Sequence, residues 1–124
     1  MPTKILVVDD EPDIVKVLVA RLKEKGYETI TALDGSQALV QAERYRPDLI
    51  ILDIMMPGMD GTEAAQKLRD NPPTKDIPII FLSALKTKTD GQREGDRIGR
   101  NIILAKPFEI DILLAKIKEM TSGH

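Results

Sequence analysis

Cysteine is absent from the 124 residues, which excludes disulfide frameworks, zinc–thiolate sites and thiol nucleophiles. Histidine occurs once, as the last residue, His124, so neither a His-based triad nor an interior imidazole metal ligand can be built. Tryptophan is absent too, and Tyr27, Tyr45, Phe81 and Phe108 are the only aromatics, a poor set for stacking a flavin. Charge of one sign is not in excess: the net value is −2, so nothing draws the chain as a whole to nucleic acid or to an anionic membrane. Long hydrophobic runs and a signal-peptide pattern are also missing, and the expected compartment is the cytoplasm. What remains is 42% apolar and 31% charged, the balance of a folded globular chain. No linker, repeat or low-complexity tract divides it, so residues 1–124 are expected to form one domain.

The organisation of the chain is alternation. Apolar runs at Ile5–Val8, Leu49–Leu52, Ile79–Leu82 and Ile102–Leu104 are too short for helices and read as buried strands. Glu28–Thr31, weaker and β-branched at every second position, reads as an edge strand. Between them lie helical stripes. Ile14, Val17, Leu18 and Leu22 share one face of a helix that Gly26 closes. Ala38, Leu39 and Ala42 follow the Asp34-Gly35 turn, and Ala64, Ala65 and Leu68 precede the Pro72-Pro73 stop. A fourth segment falls within Lys86–Arg100, and Ile110, Leu113, Leu114 and Ile117 mark the last. Five strands alternating with five helical segments predict a doubly wound α/β fold, a parallel sheet covered on both faces.

In such sheets ligands bind at the carboxyl ends of the strands, where strand order reverses. The first strand runs into Asp9-Asp10-Glu11, the third into Asp53, the fourth into Ser83 and the fifth into Lys106-Pro107. Three converging carboxylates repel one another unless a cation joins them, and an all-oxygen set of this size suits Mg²⁺. An Asp carboxylate beside such a cation can act as nucleophile toward phosphorus. The transferring group carries negative charge, so an ammonium and a hydroxyl complete the chemistry, and Lys106 and Ser83 supply them.

Val7-Val8-Asp9-Asp10-Glu11, the Leu52–Gly61 stretch around Asp53, Ser83-Ala84 and Lys106-Pro107-Phe108 resemble the motifs of response-regulator receiver domains, in order and over essentially the whole chain. The resemblance implies a flavodoxin-like (βα)5 fold with strand order 2-1-3-4-5. It implies Asp53 as the phosphoacceptor, with Mg²⁺ held by Asp10, Asp53 and the Met55 backbone carbonyl, and by Asp9 through a water. Ser83 and Lys106 would contact the phosphoryl oxygens, so Lys106→Ala is expected to leave Mg²⁺ binding largely intact, and the Lys106-Pro107 bond would be cis. The implied partners are a histidine kinase or phosphotransfer protein, an output protein or fused effector domain, and a second copy after phosphorylation. The chain itself would turn over no substrate, catalysing only its own phosphorylation and dephosphorylation.

Each feature also has a plainer use. Asp9-Asp10-Glu11-Pro12 can cap a helix with Pro12 set for its first turn, Met55–Gly61 can be a turn, Ser83 can cap, and Lys106 can snorkel. Among other functions, a flavin carrier would place an anion where Asp9, Asp10 and Glu11 stand, and an Asp-nucleophile phosphatase would need a cap for which the chain has no room. A receiver kept only as a binding module would have lost an acidic or lysine position, and none is lost.

The resemblance departs at Ile103, where receivers carry an aromatic whose ring position tracks the hydroxyl after the fourth strand. An isoleucine is shorter and stiff at χ1, so that switch is not carried over. The resemblance also puts Met55 and Leu85 beside the route of attacking water, and as apolar residues they predict slow self-dephosphorylation. Gly91, Gly95 and Gly99 recur on one face of the fourth helical segment and weaken it. That segment is expected to be short, frayed or displaced before phosphorylation, with Arg93, Arg97 and Arg100 giving the switching face a basic surface.

Overall fold

The computed structural model describes residues 2–83, 96–98, 101–106 and 108–121. Its elements in chain order are β1 (Lys4–Val8), α1 (Pro12–Glu24), β2 (Glu28–Ala32), α2 (Gly35–Tyr45), β3 (Leu49–Asp53) and α3 (Gly61–Asp70). β4 (Ile79–Ser83), β5 (Asp96–Ile98), β6 (Asn101–Ala105) and α4 (Ile110–Thr121) follow. The sheet order is β2-β1-β3-β4-β6-β5. Five strands run parallel in the order read from the motifs, with β6 as the fifth of them. The addition is β5, which pairs antiparallel to β6 at the sheet edge.

That addition corrects one expectation. Asp96–Ile98 falls within the expected fourth helical segment, and it is a strand. Three residues with a single apolar side chain carry no period of their own, so pairing with Asn101–Ile103 decides their state. The rest of that segment, including the three glycines, lies outside the described residues, as do Leu85 and Pro107 with its expected cis bond.

Alternation along the strands divides the core. Ile5, Val7, Leu49, Ile51, Ile80, Leu82, Ile102 and Leu104 face one side, where α1 and α4 cover them with Val15, Leu18, Leu22, Leu113 and Ile117. Leu6, Val8, Ile50, Leu52, Ile79 and Phe81 face the other, beneath the alanines of α2 and α3, Ala38, Ala42, Ala64 and Ala65. The stripe of α1 differs by one position from the sequence reading. Val15 is buried and Val17 is 59% exposed, because the helix turns slightly so that Val15, Leu18 and Leu22 form the i, i+3, i+7 face.

Helix ends follow local chemistry. Pro12 occupies the first turn of α1, whose N-cap Glu11 makes no side-chain cap. Gly26, at φ 91°, closes the helix: its N–H donates to the Lys23 carbonyl and that of Tyr27 to the Leu22 carbonyl. That pair of bonds requires a left-handed residue, which glycine adopts at no steric cost. Asp34 caps α2 by accepting the Gln37 N–H at 2.8 Å, and Asp60 caps α3 by accepting the Glu63 N–H at 2.9 Å. No helix among the described residues is long and apolar enough to cross a membrane.

Candidate phosphoacceptor site

The parallel register brings the polar strand ends together. Val8 lies opposite both Ala32 and Leu52, Asp53 opposite Leu82, and Ser83 opposite Ala105. Asp9, Asp53, Ser83 and Lys106 therefore emerge on one edge of the sheet, where the order turns from β2-β1 to β3-β4, the position at which such sheets bind ligands. Backbone bonds hold the edge: the Asp9 N–H donates to the Ala32 carbonyl, the Ile54 N–H to Leu82, and the Lys106 N–H to Ser83 at 2.7 Å.

Gly61 sets how closely α3 approaches this edge. Its N–H donates to the Ile54 carbonyl at 2.9 Å, and a Cβ there would stand 2.7 Å from Ile54 Cα and against the Asp53 carbonyl. No larger residue allows the loop from Ile54 to Asp60 to return so tightly. Met56, buried in the core beneath α2 and α3, anchors that loop and leaves Met55 exposed at the mouth of the site.

One oxygen of each of Asp9, Asp10 and Asp53 lies within 4.8 Å of the others. Asp9 is 0% and Asp53 2% exposed, and Asp10 stands more open. The Lys106 ammonium sits among the carboxylates. Its Nζ donates to Asp9 Oδ2 at 2.9 Å and lies 3.4 Å from Asp53 Oδ1 and 3.6 Å from Glu11 Oε1. Asp9 Oδ1 accepts the Glu11 N–H at 3.0 Å. Among the described residues Asp53 Oδ1 is buried without a hydrogen-bond partner. An orphaned carboxylate oxygen is costly to keep, and it is the atom that a cation or an incoming electrophile would satisfy.

The electrostatics follow from this packing. Burial, then the charge of Asp9, push the Asp53 carboxyl up to about 6, against the opposing pull of Lys106 and of the Met55 N–H. For Lys106, burial alone would lower the pKa, but the hydrogen bond and charge of Asp9, with the charge of Asp53, outweigh it and raise it. Both groups are ionised at pH 7, and the negative charge of the site exceeds the single positive one.

Asp9, Asp10, Asp53 and Lys106 are therefore neighbours, and Ser83 is buried at the end of β4, where its carbonyl accepts the Lys106 N–H. The lysine expected to meet the phosphoryl oxygens is bonded here to Asp9, one of the metal-ligand candidates. Glu11 belongs to the acidic strand end and the helix start in the sequence, but neither pattern hints that its side chain lies 3.6 Å from Lys106. Ile103 lies beside Phe81 in the β4–β6 register and packs, half-buried, against the α2 and α3 side of the core. Asn101 and Thr74 were missed altogether: both are buried polar residues, and both serve structure. Asn101 Oδ1 accepts the Ile79 N–H at 3.0 Å, and Thr74 Oγ1 donates to the Leu68 carbonyl at 2.7 Å.

Residues 5–118 match the model of the response regulator receiver domain. Response regulator PleD of Caulobacter vibrioides is 42% identical over 121 residues, which are 98% of this chain and 26% of that protein. The alkaline phosphatase synthesis transcriptional regulatory protein PhoP of Bacillus subtilis is 42% identical over 118 residues, 95% of this chain and 48% of that protein. The chain thus spans about a quarter to a half of the length of the curated relatives it matches. Among solved structures, chemotaxis protein CheY4 of Vibrio cholerae superposes with a TM-score of 0.83 at 34% identity, covering 97% of this chain and 99% of that one. The receiver domain of sensor histidine kinase PA1611 from Pseudomonas aeruginosa PAO1, solved with a magnesium ion coordinated in its active site cleft, gives 0.84 at 31% identity, covering 99% and 100%. The carboxylates and lysine gathered at the strand ends, the sheet order and these matches agree: the chain belongs to the response regulator receiver domain family.

Proposed function

We propose that this receiver accepts a phosphoryl group on Asp53 in the presence of Mg²⁺ and passes the signal to an output partner. The observation that carries the reading is the buried Asp53 Oδ1, without a hydrogen bond among the described residues and placed between the Asp9–Asp10 carboxylates and the Lys106 ammonium. The residues fit a hard divalent cation: three carboxylates within 4.8 Å of one another, all oxygen donors, with a surplus of negative charge. Asp10, Asp53 and the Met55 carbonyl would hold it, with Asp9 behind them. Bound there, the cation would neutralise charge developing on the phosphoryl oxygens.

The rest is the work of the chain. An ionised Asp53 oxygen attacks phosphorus, a new O–P bond forms, and the bond from phosphorus to the donor's nitrogen or oxygen breaks, its electron pair leaving with the donor. Lys106 and the Ser83 hydroxyl receive the equatorial oxygens. The donor is a histidine kinase or a phosphotransfer protein, and the setting is the cytoplasm. The output is a partner protein or a domain fused to this one, in keeping with relatives of two to four times its length. Beyond its own phosphorylation and dephosphorylation the domain turns over no substrate, and Met55, apolar and exposed at the mouth, disfavours rapid loss of the group.

Intact mass after incubation with acetyl phosphate and Mg²⁺ tests the reading. One added phosphoryl mass is expected in the parent and none in Asp53→Asn. Stoichiometric labelling of Asp53→Asn would overturn the assignment.

A further inference from the structure

The Lys106 ammonium touches three carboxylates, and they are not equivalent. Asp9 and Asp53 are almost fully buried and belong to the triangle that would hold the cation. Glu11 does not belong to it, and its side chain is 61% exposed. Asp9 is already committed at both oxygens, Oδ2 to the Lys106 ammonium and Oδ1 to the Glu11 N–H. A divalent cation arriving at Asp9, Asp10 and Asp53 meets a positive charge bonded to one of the three, and like charges this close in a buried site repel strongly. The ammonium must loosen its hold on Asp9. Outside the triangle, the carboxylate in contact with it among the described residues is Glu11, at 3.6 Å and on the open side.

We infer that Glu11 is a positioning residue that receives the Lys106 ammonium when a divalent cation displaces it from Asp9. The inference rests on the metal reading above. The geometry suits the role: the Glu11 backbone is pinned to Asp9 Oδ1 while its long side chain stays free to follow the ammonium. Lys106 is thereby kept beside the site, ready to meet the phosphoryl group, rather than lost to solvent. Asp9 and Glu11 divide the lysine between them, one without the cation and one with it.

Calorimetric Mg²⁺ titration of the full chain tests this, with five variants. Lys106→Met removes the competing charge but keeps the stem, and is expected to tighten Mg²⁺ binding about tenfold. Glu11→Gln is expected to weaken it roughly threefold, the scale of a partly exposed ion pair. Combined with Lys106→Met, Glu11→Gln should lose that effect, leaving no more than the change seen in Asp13→Asn, which removes a nearby exposed charge outside the network. Glu11→Asp, which keeps the charge, should recover part of the affinity. A parent that binds no Mg²⁺ overturns the metal reading and the inference with it. A parent that binds, with Glu11→Gln weakening the Lys106→Met background by the same factor as the parent, overturns the inference and leaves the metal reading standing.

Discussion

The two ends of the sheet use the same kinds of side chain in opposite ways. At the amino ends of the strands polar groups are consumed by the backbone: Asp48 Oδ2 accepts the Lys4 N–H at 2.8 Å, the Asp48 N–H donates to the Lys4 carbonyl, and Asn101 Oδ1 accepts the Ile79 N–H. At the carboxyl ends a buried carboxylate, Asp53, keeps an oxygen that has no hydrogen bond among the described residues and is met by the Lys106 ammonium at 3.4 Å. The first arrangement lowers the free energy of the fold. The second raises it and stores the difference where a ligand can release it. Stability and reactivity are thus segregated along the strand axis, and substitutions at the two ends should fail in different currencies.

The largest contrast is between Asp53→Asn and Asn101→Ala. Asp53→Asn should abolish phosphoryl labelling while stabilising the cation-free fold. The sign follows from linkage: the carboxyl is raised from 3.8 to about 6 in the folded protein, so the folded state holds the proton more tightly and stability is lost as pH rises through that window. At pH 7 the ionised group costs on the order of 2 kcal/mol, which an amide avoids. Asn101→Ala should do the reverse, lowering stability by about 2 kcal/mol through the orphaned Ile79 N–H and leaving labelling intact. Urea denaturation without Mg²⁺, together with intact mass, reads both. Equal destabilisation by the two substitutions would break the comparison.

Why one end was easier to read than the other has a physical basis. Asp9, Asp53, Ser83 and Lys106 stand out because each ends an apolar run, and parallel pairing carries run ends to one edge whatever the details of register. Asn101 and Thr74 do not stand out, since a polar residue beside a turn is expected to be solvated, and only the packed fold shows them buried. The exchange of Val17 for Val15 has the same origin, as neighbouring valines on one helix satisfy the period almost equally until the core chooses between them. The bond between Lys106 and Asp9, 97 residues apart, lies beyond any pattern, because spacing places strand ends but not the side chain that spans them. The short β5 is legible only from its partner.

The second prediction sharpens the electrostatic half of the contrast. Cation binding needs Asp53 ionised, so Mg²⁺ affinity should be flat above neutral pH and fall as pH drops through about 6, by roughly tenfold per unit where one proton competes. Calorimetry between pH 5 and pH 8 checks this. The third concerns lifetime. Met55→Asn places a hydrogen-bonding side chain at the exposed mouth and should shorten the phosphorylated state several-fold by orienting water, read as decay of the added mass after donor removal. A decay no faster than the parent's would show that Met55 does not border the water's route.

The smallest expected effect tests whether position alone or bonding state decides which currency a residue is read in. Asp34 lies on the reactive edge, just beyond the carboxyl end of β2, yet its Oδ1 is engaged with the Gln37 N–H at 2.8 Å and Gln37 in turn accepts the Leu33 N–H. It is a carboxylate at the carboxyl edge with the bonding pattern of the opposite one. If satisfaction of hydrogen bonds is what separates the two ends, Asp34→Ala should behave like an amino-end substitution. It should lower stability by about 1 kcal/mol, the usual worth of a helix N-cap, and leave both the extent of phosphoryl labelling and Mg²⁺ affinity unchanged. Asp34→Asn, which can still accept that N–H, should recover most of the loss. A drop in Mg²⁺ affinity shared by Asp34→Ala and Asp34→Asn would instead mean that the whole carboxyl edge acts as one electrostatic unit and that location, not bonding, sets the chemistry.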